Sequence, residues 1–317
     1  METRRKKYIY GPVPSRRLGR SLGVDLVPYK VCTYDCIYCQ LGRTPGSTIE
    51  RKEWVPMNEI VAQLKDALHS KPDYITLSGS GEPTLHAQIE RLIGEIKDTT
   101  EIPVAVITNG SLLWQPEVRR SLLNADLVVP SLDADCQEIF RYVNRPHPRI
   151  RFEPMLDGLK EFRQVFHGQY WLEVLLISGV TTAEARIRTL SECIKSIAPD
   201  KVQVNTVVRL PAEDYAIPVP SDQLEEIAAR LYPGAEAILP CAHAGETEGS
   251  GAGCDDILEL LQRRPCSIAD IATGLRLHPH EAAKCIGRLV SERKVQARKQ
   301  QGTLYYRAVP RCPEPSS

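Results

Sequence analysis

The chain has 317 residues, with 40 basic and 40 acidic side chains, so its formal net charge is zero. A neutral molecule has no general attraction to nucleic acid or to anionic membranes, and any such affinity must be local. The basic first residues are not followed by an apolar run, and the longest apolar stretch, at 171–180, is too short to cross a bilayer. We therefore expect a soluble, cytoplasmic protein with no membrane partner.

Short apolar runs alternate with amphipathic segments from about residue 20 to residue 210. The runs are rich in Val and Ile, which is typical of parallel strands covered on both faces. The predicted strands are 23–27, 74–78, 104–109, 127–133, 171–178 and 202–210. Apolar residues at helical spacing predict helices over 58–69, 86–97, 115–124, 153–166 and 184–197.

Six strand–helix units in succession indicate an α/β fold with parallel strands and right-handed crossovers. Six is fewer than the eight units of a closed (β/α)8 barrel, so a partial (β/α)6 barrel and an open doubly wound sheet both fit. Polar motifs follow the strand ends at 78–83, 108–110 and 131–135. In either architecture this carboxyl edge is where ligands bind, which predicts one cleft built from several loops.

The composition changes at 239–254, where Gly, Ala, Ser and Glu replace the periodic pattern. We interpret this segment as a linker between a catalytic domain, 1–238, and a smaller domain, 255–309. Three short helices followed by two strands around a turn predict a winged helix-turn-helix in the smaller domain. The last residues, 310–317, are predicted to be a disordered tail.

The C-terminal segment is basic within a neutral chain. Residues 255–317 contain eleven basic and seven acidic side chains. The surplus of basic residues is concentrated on the third predicted helix and the two strands. Basic residues there would pair with phosphates, and Tyr305 or Tyr306 would stack on a base. Winged helices also serve as protein-docking modules, so nucleic acid and protein remain alternative partners.

Cys32, Cys36 and Cys39 stand in the stretch CTYDCIYC, directly after the first predicted strand. The chain has ten cysteines and no export signal, which favours reduced thiols and a metal site over disulfides. A structural zinc site requires four ligands, whereas the local set ends at three. Three thiolates on an iron–sulfur cube leave one iron without a protein ligand, and this open iron can bind a small molecule.

The spacing CxxxCxxC, with the aromatic Tyr38 before the last cysteine, resembles the signature of the radical S-adenosylmethionine (SAM) superfamily. The resemblance extends over roughly residues 20–215. It implies a partial (β/α)6 barrel, an oxygen-sensitive [4Fe–4S] cluster on Cys32, Cys36 and Cys39, and SAM bound to the open iron. In this family an electron from the cluster cleaves SAM and releases a 5′-deoxyadenosyl radical.

Further site residues follow from the same resemblance. The segment SGSGEP is similar to the GGEP segment that contacts the methionine amino group, with Ser80 in place of the usual first glycine. Glycines let backbone atoms approach closely, and Glu82 would accept a hydrogen bond from the ammonium. The implied cofactor-binding residues are Tyr38, Gly79, Ser80, Gly81, Glu82, Asn109, Ser131 and Asp133, the last two near the ribose.

The N-terminal stretch YGPVPSRRLGRSLGVDLVPYKVCTYDCIYC resembles a radical SAM group described as wyosine-synthase-like, with kinship to the cofactor-assembly enzyme NifB. Arg16, Arg17 and Arg20 would then face the cluster end of the cleft, unless they are solvated surface residues. The segment 141–147 (RYVNRPH) is a second candidate substrate loop, with a plain turn as the alternative.

The specific wyosine-synthase activity is doubtful, because that reaction needs a second cluster on upstream cysteines and no cysteine precedes Cys32. Cys241, Cys254 and Cys266, with His243 nearby, are an alternative set of ligands for a second metal.

Three functions remain open. The first is a radical enzyme acting on RNA or another nucleotide, with the C-terminal domain as a recognition arm. The second is radical modification of a protein, peptide or metallocofactor, and the third is a non-catalytic iron–sulfur sensor. Both enzymes would need an electron donor such as flavodoxin or ferredoxin.

Overall fold

The computed structural model describes residues 6–15, 17–239, 253–275, 277–300 and 302–309. Most of the predicted linker, at 240–252, and the whole predicted tail, at 310–317, lie outside the described residues, and so do Arg16, Cys241 and His243.

An eight-stranded sheet forms the larger part of the fold, and its strands follow one another in chain order from edge to edge. They are β1 (Ile9–Ser15), β2 (Gly19–Asp25), β3 (Tyr74–Ser78), β4 (Val104–Thr108), β5 (Leu127–Pro130), β6 (Gln169–Leu176), β7 (Lys201–Thr206) and β8 (Glu236–Ala237). Neighbours from β2 to β8 are parallel. A doubly wound sheet would reverse its strand order at a switch point. The sequential order is that of a partial barrel, which confirms the predicted α/β class with two additional strands, β1 and β8.

Strand β1 was not predicted, because the segment 9–15 contains a glycine and two prolines. Proline lacks the amide that a central strand needs, but an edge strand tolerates it. β1 lies at the edge of the sheet and pairs with β2 in antiparallel orientation, Ile9 opposite Val24 and Ser15 opposite Gly19.

Helices connect the parallel strands. They are α1 (Met57–Ala67), α2 (Ile89–Thr99), α3 (Pro116–Ser121), α4 (Gln137–Val143), α5 (Phe152–Val165), α6 (Glu184–Ile197) and α7 (Ser221–Leu231). The prediction for α6 is confirmed with the same bounds, and those for α1, α2, α3 and α5 are confirmed with ends displaced by a few residues. α4 and α7 were not predicted, although α7 carries an apolar stripe that includes Leu224, Ile227 and Leu231.

The two faces of the sheet have different surroundings. On β6, the alternate residues Tyr170, Leu172, Val174 and Leu176 are buried in the main core, which they share with the apolar faces of the helices. Such alternation places the intervening residues on the opposite face, inside the barrel. A small apolar cluster lies there, formed by Leu18, Ala105, Leu127 and Val129.

A separate C-terminal unit (residues 253–309) has its own apolar core, which includes Ile257, Leu261, Ile271 and Ile286. It consists of α8 (Cys254–Arg263), α9 (Ile268–Leu275), α10 (Pro279–Ser291), β9 (Val295–Gln300) and β10 (Thr303–Ala308). β9 and β10 form an antiparallel hairpin. These elements and their order agree with the prediction for this region, while the assignment to the winged helix-turn-helix class stays a prediction.

The cysteines of the C-terminal unit are arranged differently from the predicted second metal site. Cys254 forms a disulfide with Cys285, and Cys266 is fully buried in the core of the unit. The expectation of fully reduced thiols is therefore wrong for this pair. Cys254 and Cys266 are not brought together as metal ligands.

Within the described residues, no helix combines the length and the apolar character that a membrane crossing requires.

Candidate active site

The three clustered cysteines lie on a loop that leaves the carboxyl end of β2, which we call the cysteine loop (residues 26–44). The loop is folded on itself: the amide of Thr44 donates to Asp35 at 2.6 Å, and its hydroxyl donates to the carbonyl of Tyr34 at 2.8 Å. The side chains of Tyr34 and Ile37 are buried, and they anchor the loop in the main core. Cys32, Cys36 and Cys39 remain partly exposed.

Each of the three sulfur atoms has a nitrogen donor beside it, and each donor comes from a different part of the chain. The Lys30 ammonium lies 3.3 Å from the Cys39 sulfur. The amide nitrogens of Asn109 and Asn144 lie 3.6 Å from the sulfurs of Cys32 and Cys36, respectively.

Hydrogen bonds to the sulfurs are one of the means by which proteins set the properties of iron–sulfur clusters. Nitrogen donors stabilise thiolates far more than neutral thiols. Three cysteines on one loop, each with its own donor, therefore fit a cluster held by three thiolates.

The surroundings of two of the three thiols disfavour the thiolate. Burial, reinforced by the carboxylate of Glu82, raises the pKa of Cys32 to about 12. Burial and the neighbouring cysteines raise the pKa of Cys36 well above its usual range. Iron binding at this loop must therefore release protons.

No group of three or more His, Cys, Asp or Glu side chains is placed to hold a metal ion in the described parts of the chain. The zinc alternative considered from the sequence requires four ligands around one ion. The same finding covers Cys32, Cys36 and Cys39, so it does not distinguish a zinc ion from a cluster.

The glycine segment, residues 78–82, packs tightly against the cysteine loop. A Cβ atom on Gly81 would lie 1.9 Å from the carbonyl oxygen of Val31, and one on Gly79, where φ is +120°, would lie 1.8 Å from the Asp25 carboxylate. The Ser80 carbonyl accepts from the Lys30 amide at 2.7 Å. The close backbone approach predicted for these glycines is present, and what it brings close is the cysteine loop.

The Glu82 side chain is held by hydrogen bonds within the protein. Glu82 is 1% exposed, and its carboxylate accepts from the hydroxyls of Thr84 and Thr108 and from the amides of Thr84 and Asn109, at 2.6–3.0 Å. Burial raises the pKa of Glu82 despite these bonds. The observed partners of the carboxylate are all protein groups, and its contact with an ammonium group stays a prediction. It ties the loop after β3 to the loop after β4.

Asp133, Tyr38 and Asn144 form a buried polar cluster beneath the cysteine loop. The Tyr38 hydroxyl donates to Asp133, whose carboxylate also accepts from the Asn144 amide group and the Leu175 backbone amide, each at 2.9 Å. Burial raises the pKa of Asp133 to about 6. Asp133 is 3% exposed and its carboxylate contacts protein groups, so its contact with a ribose stays a prediction.

The remaining predicted cofactor residues lie at the same end of the barrel. Asn109 follows β4, and its amide group donates to the hydroxyl of Thr33 at 2.7 Å as well as lying beside Cys32. Ser131 follows β5, is partly exposed, and forms a bridge with Glu173 of β6. Of the predicted set, Glu82 and Asp133 are buried, while Tyr38, Gly79–Gly81, Asn109 and Ser131 keep exposed surface.

The described basic residues near the N-terminus lie in different places. Arg20 donates to the carbonyls of Ser70 and Lys71, which precede β3 and lie at the opposite end of the barrel. Arg17 forms an ion pair with Glu173, a residue of β6 that also forms a bridge with Ser131. The prediction that these residues face the cluster end is wrong for Arg20 and stays a prediction for Arg17.

The segment 141–147 supports the cysteine loop, and its role as a substrate loop stays a prediction. Its Asn144 is buried beside Cys36, and the His147 amide donates to the Thr33 carbonyl at 2.9 Å. Arg145 bridges Glu213 and Asp35.

Comparison with known families identifies the class of protein that this site belongs to. The profile of the Radical SAM superfamily matches residues 26–190, just over half of the chain, and covers the cysteine loop and the strands β3–β6. The chain belongs to the radical SAM superfamily and is an enzyme whose substrate is unknown. Membership implies the use of a [4Fe–4S] cluster and SAM.

Two relatives match over almost the whole chain. A UPF0026 protein of Helicobacter pylori strain J99 is 32% identical over 305 residues, which are 94% of this chain and 96% of that protein. A protein of Brachyspira hyodysenteriae named GTPase Obg is 37% identical over 307 residues, 95% of this chain but only 45% of its own length. The chain thus spans less than half of that second relative.

Among solved structures, a radical SAM methyltransferase from Sphaerobacter thermophilus has a TM-score of 0.51 with this chain at 17% sequence identity. The match covers 68% of this chain and 65% of that one. The likeness shows the fold alone.

Lys30, Asp25 and Arg263 were not singled out from the sequence. Lys30 stands two positions before Cys32. This closeness of a cation to a predicted ligand cysteine is a local signal by which Lys30 could have been found. Lys30 is 5% exposed, an unusual degree of burial for lysine. The pairing of Asp25 with Arg263 spans 238 positions and leaves no local signal.

Proposed function

We propose that this protein cleaves SAM reductively at a [4Fe–4S] cluster held by Cys32, Cys36 and Cys39, and uses the resulting radical to remove hydrogen from a substrate. The observation that carries this proposal is the set of three cysteine sulfurs, each beside its own nitrogen donor, at the carboxyl edge of a partial barrel. When bound, the cluster would donate one electron to SAM, break its carbon–sulfur bond, and give methionine and a 5′-deoxyadenosyl radical.

The residues of this chain would act by holding and shielding these groups. Lys30, Asn109 and Asn144 would offset the negative charge on the three thiolates. The backbone of Gly79–Gly81 would approach the amino-acid end of SAM, because it has no side chains beyond that of Ser80 to keep a ligand away. Ser131, which keeps exposed surface at the same edge, is the residue of the predicted ribose set best placed to hydrogen-bond the nucleoside.

The test is anaerobic reconstitution of the full chain with iron and sulfide, followed by dithionite and SAM. Release of 5′-deoxyadenosine and methionine is the expected result, with a variant in which all three cysteines are replaced by alanine as the control. An intact cluster that releases no 5′-deoxyadenosine would instead favour the non-catalytic iron–sulfur sensor.

For the substrate, we propose RNA or another nucleotide-containing molecule, with a protein or metallocofactor as the alternative. The net basic character of residues 255–317 supports RNA, and so does the resemblance of the N-terminal stretch to wyosine-synthase-like proteins. Against RNA, Arg298 and Arg307 of the hairpin contact Asp214 and Tyr29 of the barrel, which leaves fewer cations on the hairpin for phosphates.

Nucleic acid that copurifies with the protein distinguishes an RNA substrate from a protein substrate. The protein is purified at low salt, and bound nucleic acid is measured by absorbance and nuclease digestion. Bound RNA that SAM-dependent turnover modifies supports the proposal, and turnover on a protein fraction in the absence of RNA contradicts it.

A further inference from the structure

The C-terminal unit meets the barrel next to the glycine segment. Arg263, the last residue of α8, forms an ion pair with Asp25, the last residue of β2, at 2.6 Å. Both side chains are largely shielded from solvent, with 23% and 12% exposure. The guanidinium of Arg263 also lies over the ring of Tyr10 on β1, at 4.4 Å from its centroid.

Both residues that Arg263 contacts, Asp25 and Tyr10, in turn contact residues at or just after the end of β3. The Asp25 carboxylate accepts from the Ser80 amide at 2.8 Å through the oxygen that Arg263 does not contact. The Tyr10 hydroxyl lies 3.1 Å from the hydroxyl of Ser78. One arginine of the C-terminal unit therefore contacts two barrel side chains that hold the first three residues of the glycine segment.

Two other ion pairs between described residues of the barrel and the C-terminal unit are more exposed. Lys7 pairs with Glu259 at 60% and 28% exposure, and Arg298 with Asp214 at 56% and 66%. Exposed pairs contribute little to stability, whereas a shielded pair fixes geometry strongly and is costly to break on one side. The Arg263–Asp25 pair is therefore the contact through which the C-terminal unit can affect the glycine segment.

We propose that Arg263 is a positioning residue for SAM: through Asp25 and Tyr10 it holds the turn at residues 78–80 in the conformation that binds the amino-acid end of the cofactor. The inference rests on the proposed function, and it makes the docked C-terminal unit a part of the cofactor site. Gly79 is consistent with this role, because a side chain there would collide with the carboxylate of Asp25 that holds the turn.

The experiment uses the full-length reconstituted enzyme and SAM itself as the probe. Arg263→Gln, Asp25→Asn and the double variant are compared with Arg298→Gln, which removes the exposed pair of the same unit. Cluster iron content, melting temperature, the dissociation constant for SAM and the rate of 5′-deoxyadenosine release at saturating SAM are measured for each.

We expect each single variant to weaken SAM binding by roughly tenfold while iron content and the rate at saturating SAM stay near wild type. The double variant should be no weaker than either single one, because both remove the same contact. Arg298→Gln should bind SAM like the wild type.

Wild-type affinity in either single variant, or equal weakening in Arg298→Gln, overturns the inference. Asp25→Asn preserves the shape of the buried side chain and keeps the test decisive if Arg263→Gln does not fold. Failure of the proposed function is a separate result, since it would appear in the wild type as no cluster or no cleavage of SAM.

Discussion

Lys30 places a positive charge against one sulfur of the cysteine loop. Its ammonium is 3.3 Å from Cys39, and the side chain is 5% exposed, so little water screens the interaction. A cation beside a cluster stabilises the reduced state, which carries more negative charge. Lys30 should therefore raise the reduction potential of the cluster.

We expect Lys30→Met to lower the reduction potential of the cluster by tens of millivolts without loss of iron. The measurement is a redox titration followed by electron paramagnetic resonance. Lys65→Met removes an exposed lysine from the last turn of α1 and serves as the control. An unchanged potential in Lys30→Met would show that the ammonium does not contact the loaded cluster.

A glycine is required at position 81 because a side chain would collide with neighbouring backbone, and not because of the dihedral angles of the residue. A methyl group at Gly81 would lie 1.9 Å from the Val31 carbonyl oxygen, which belongs to the cysteine loop and cannot move independently. Gly94 in α2 has no atom within 4 Å of the corresponding position. The two glycines thus form a matched pair of test sites.

We expect Gly81→Ala to lower the free energy of unfolding by about 3 kcal/mol or more and to reduce the iron content after reconstitution. Gly94→Ala should be neutral or stabilising by up to about 1 kcal/mol, because alanine favours the helix. Urea unfolding measures both changes. Equal stabilities for the two variants would contradict the predicted clash.

The loops after β3 and β4 act as one element because Glu82 joins them. The carboxylate accepts bonds from Thr84 on its own loop and from Thr108 and Asn109 on the next. This arrangement fixes Asn109 beside Cys32. Glu82, which resembles a cofactor-binding glutamate of the family, therefore supports the candidate site by joining these two loops.

The short 3-10 helix that follows this loop, Pro83–Leu85, is held by His86. The His86 ring is fully buried; its Nε2 lies 3.0 Å from the Val55 carbonyl, and its Nδ1 accepts from the Gln88 amide at 3.2 Å. Burial lowers the pKa of His86 below its usual value of 6.5. The folded protein therefore keeps the ring neutral at pH values where the unfolded chain takes up a proton.

The stability that His86 contributes is complete above pH 6.5 and is lost as the pH falls below that value. We expect His86→Gln, which can make both hydrogen bonds without titrating, to reduce the loss of stability between about pH 7.5 and pH 5.5. Urea midpoints across this range measure the effect. His69→Gln, at an exposed position, is the control, and an equal acid dependence of His86→Gln and wild type would contradict the prediction.

On the scale of the whole molecule, the C-terminal unit is docked on the barrel and does not extend from it. α9 lies against β1, and Arg307 of β10 donates to the hydroxyl of Tyr29 in the cysteine loop at 2.9 Å. The Arg263–Asp25 pair is a further, shielded contact between the two parts. A recognition role for the C-terminal unit stays a prediction.

We expect Arg263→Asp to separate the two parts of the protein, because it places a second carboxylate against Asp25 where water cannot screen the repulsion. The radius of gyration from small-angle X-ray scattering should then increase. Arg298→Asp creates the same repulsion against Asp214 at an exposed position and should leave the radius unchanged. A compact Arg263→Asp protein would show that the pair does not hold the docked arrangement.

The sequence by itself determined the class of fold and the cluster loop. Parallel strands and their helices follow from local hydrophobic periodicity, so β3–β7 and α6 lie close to where they were predicted. The spacing of Cys32, Cys36 and Cys39 is also a local feature. Three thiols within eight positions have few functions other than binding a metal or a cluster. Among the elements that were missed, β1 has a local composition that argues against a strand, whereas α7 was missed despite its apolar stripe.

Only the tertiary structure decided what surrounds the cysteine loop. Asn144 reaches Cys36 across 108 positions and Arg263 reaches Asp25 across 238, and no local pattern records such contacts. The burial of Glu82 and Asp133 likewise depends on strands that are distant in the chain. Local interactions select elements, but the solvation of a side chain depends on every segment packed around it, and that set is fixed only when the whole chain has folded.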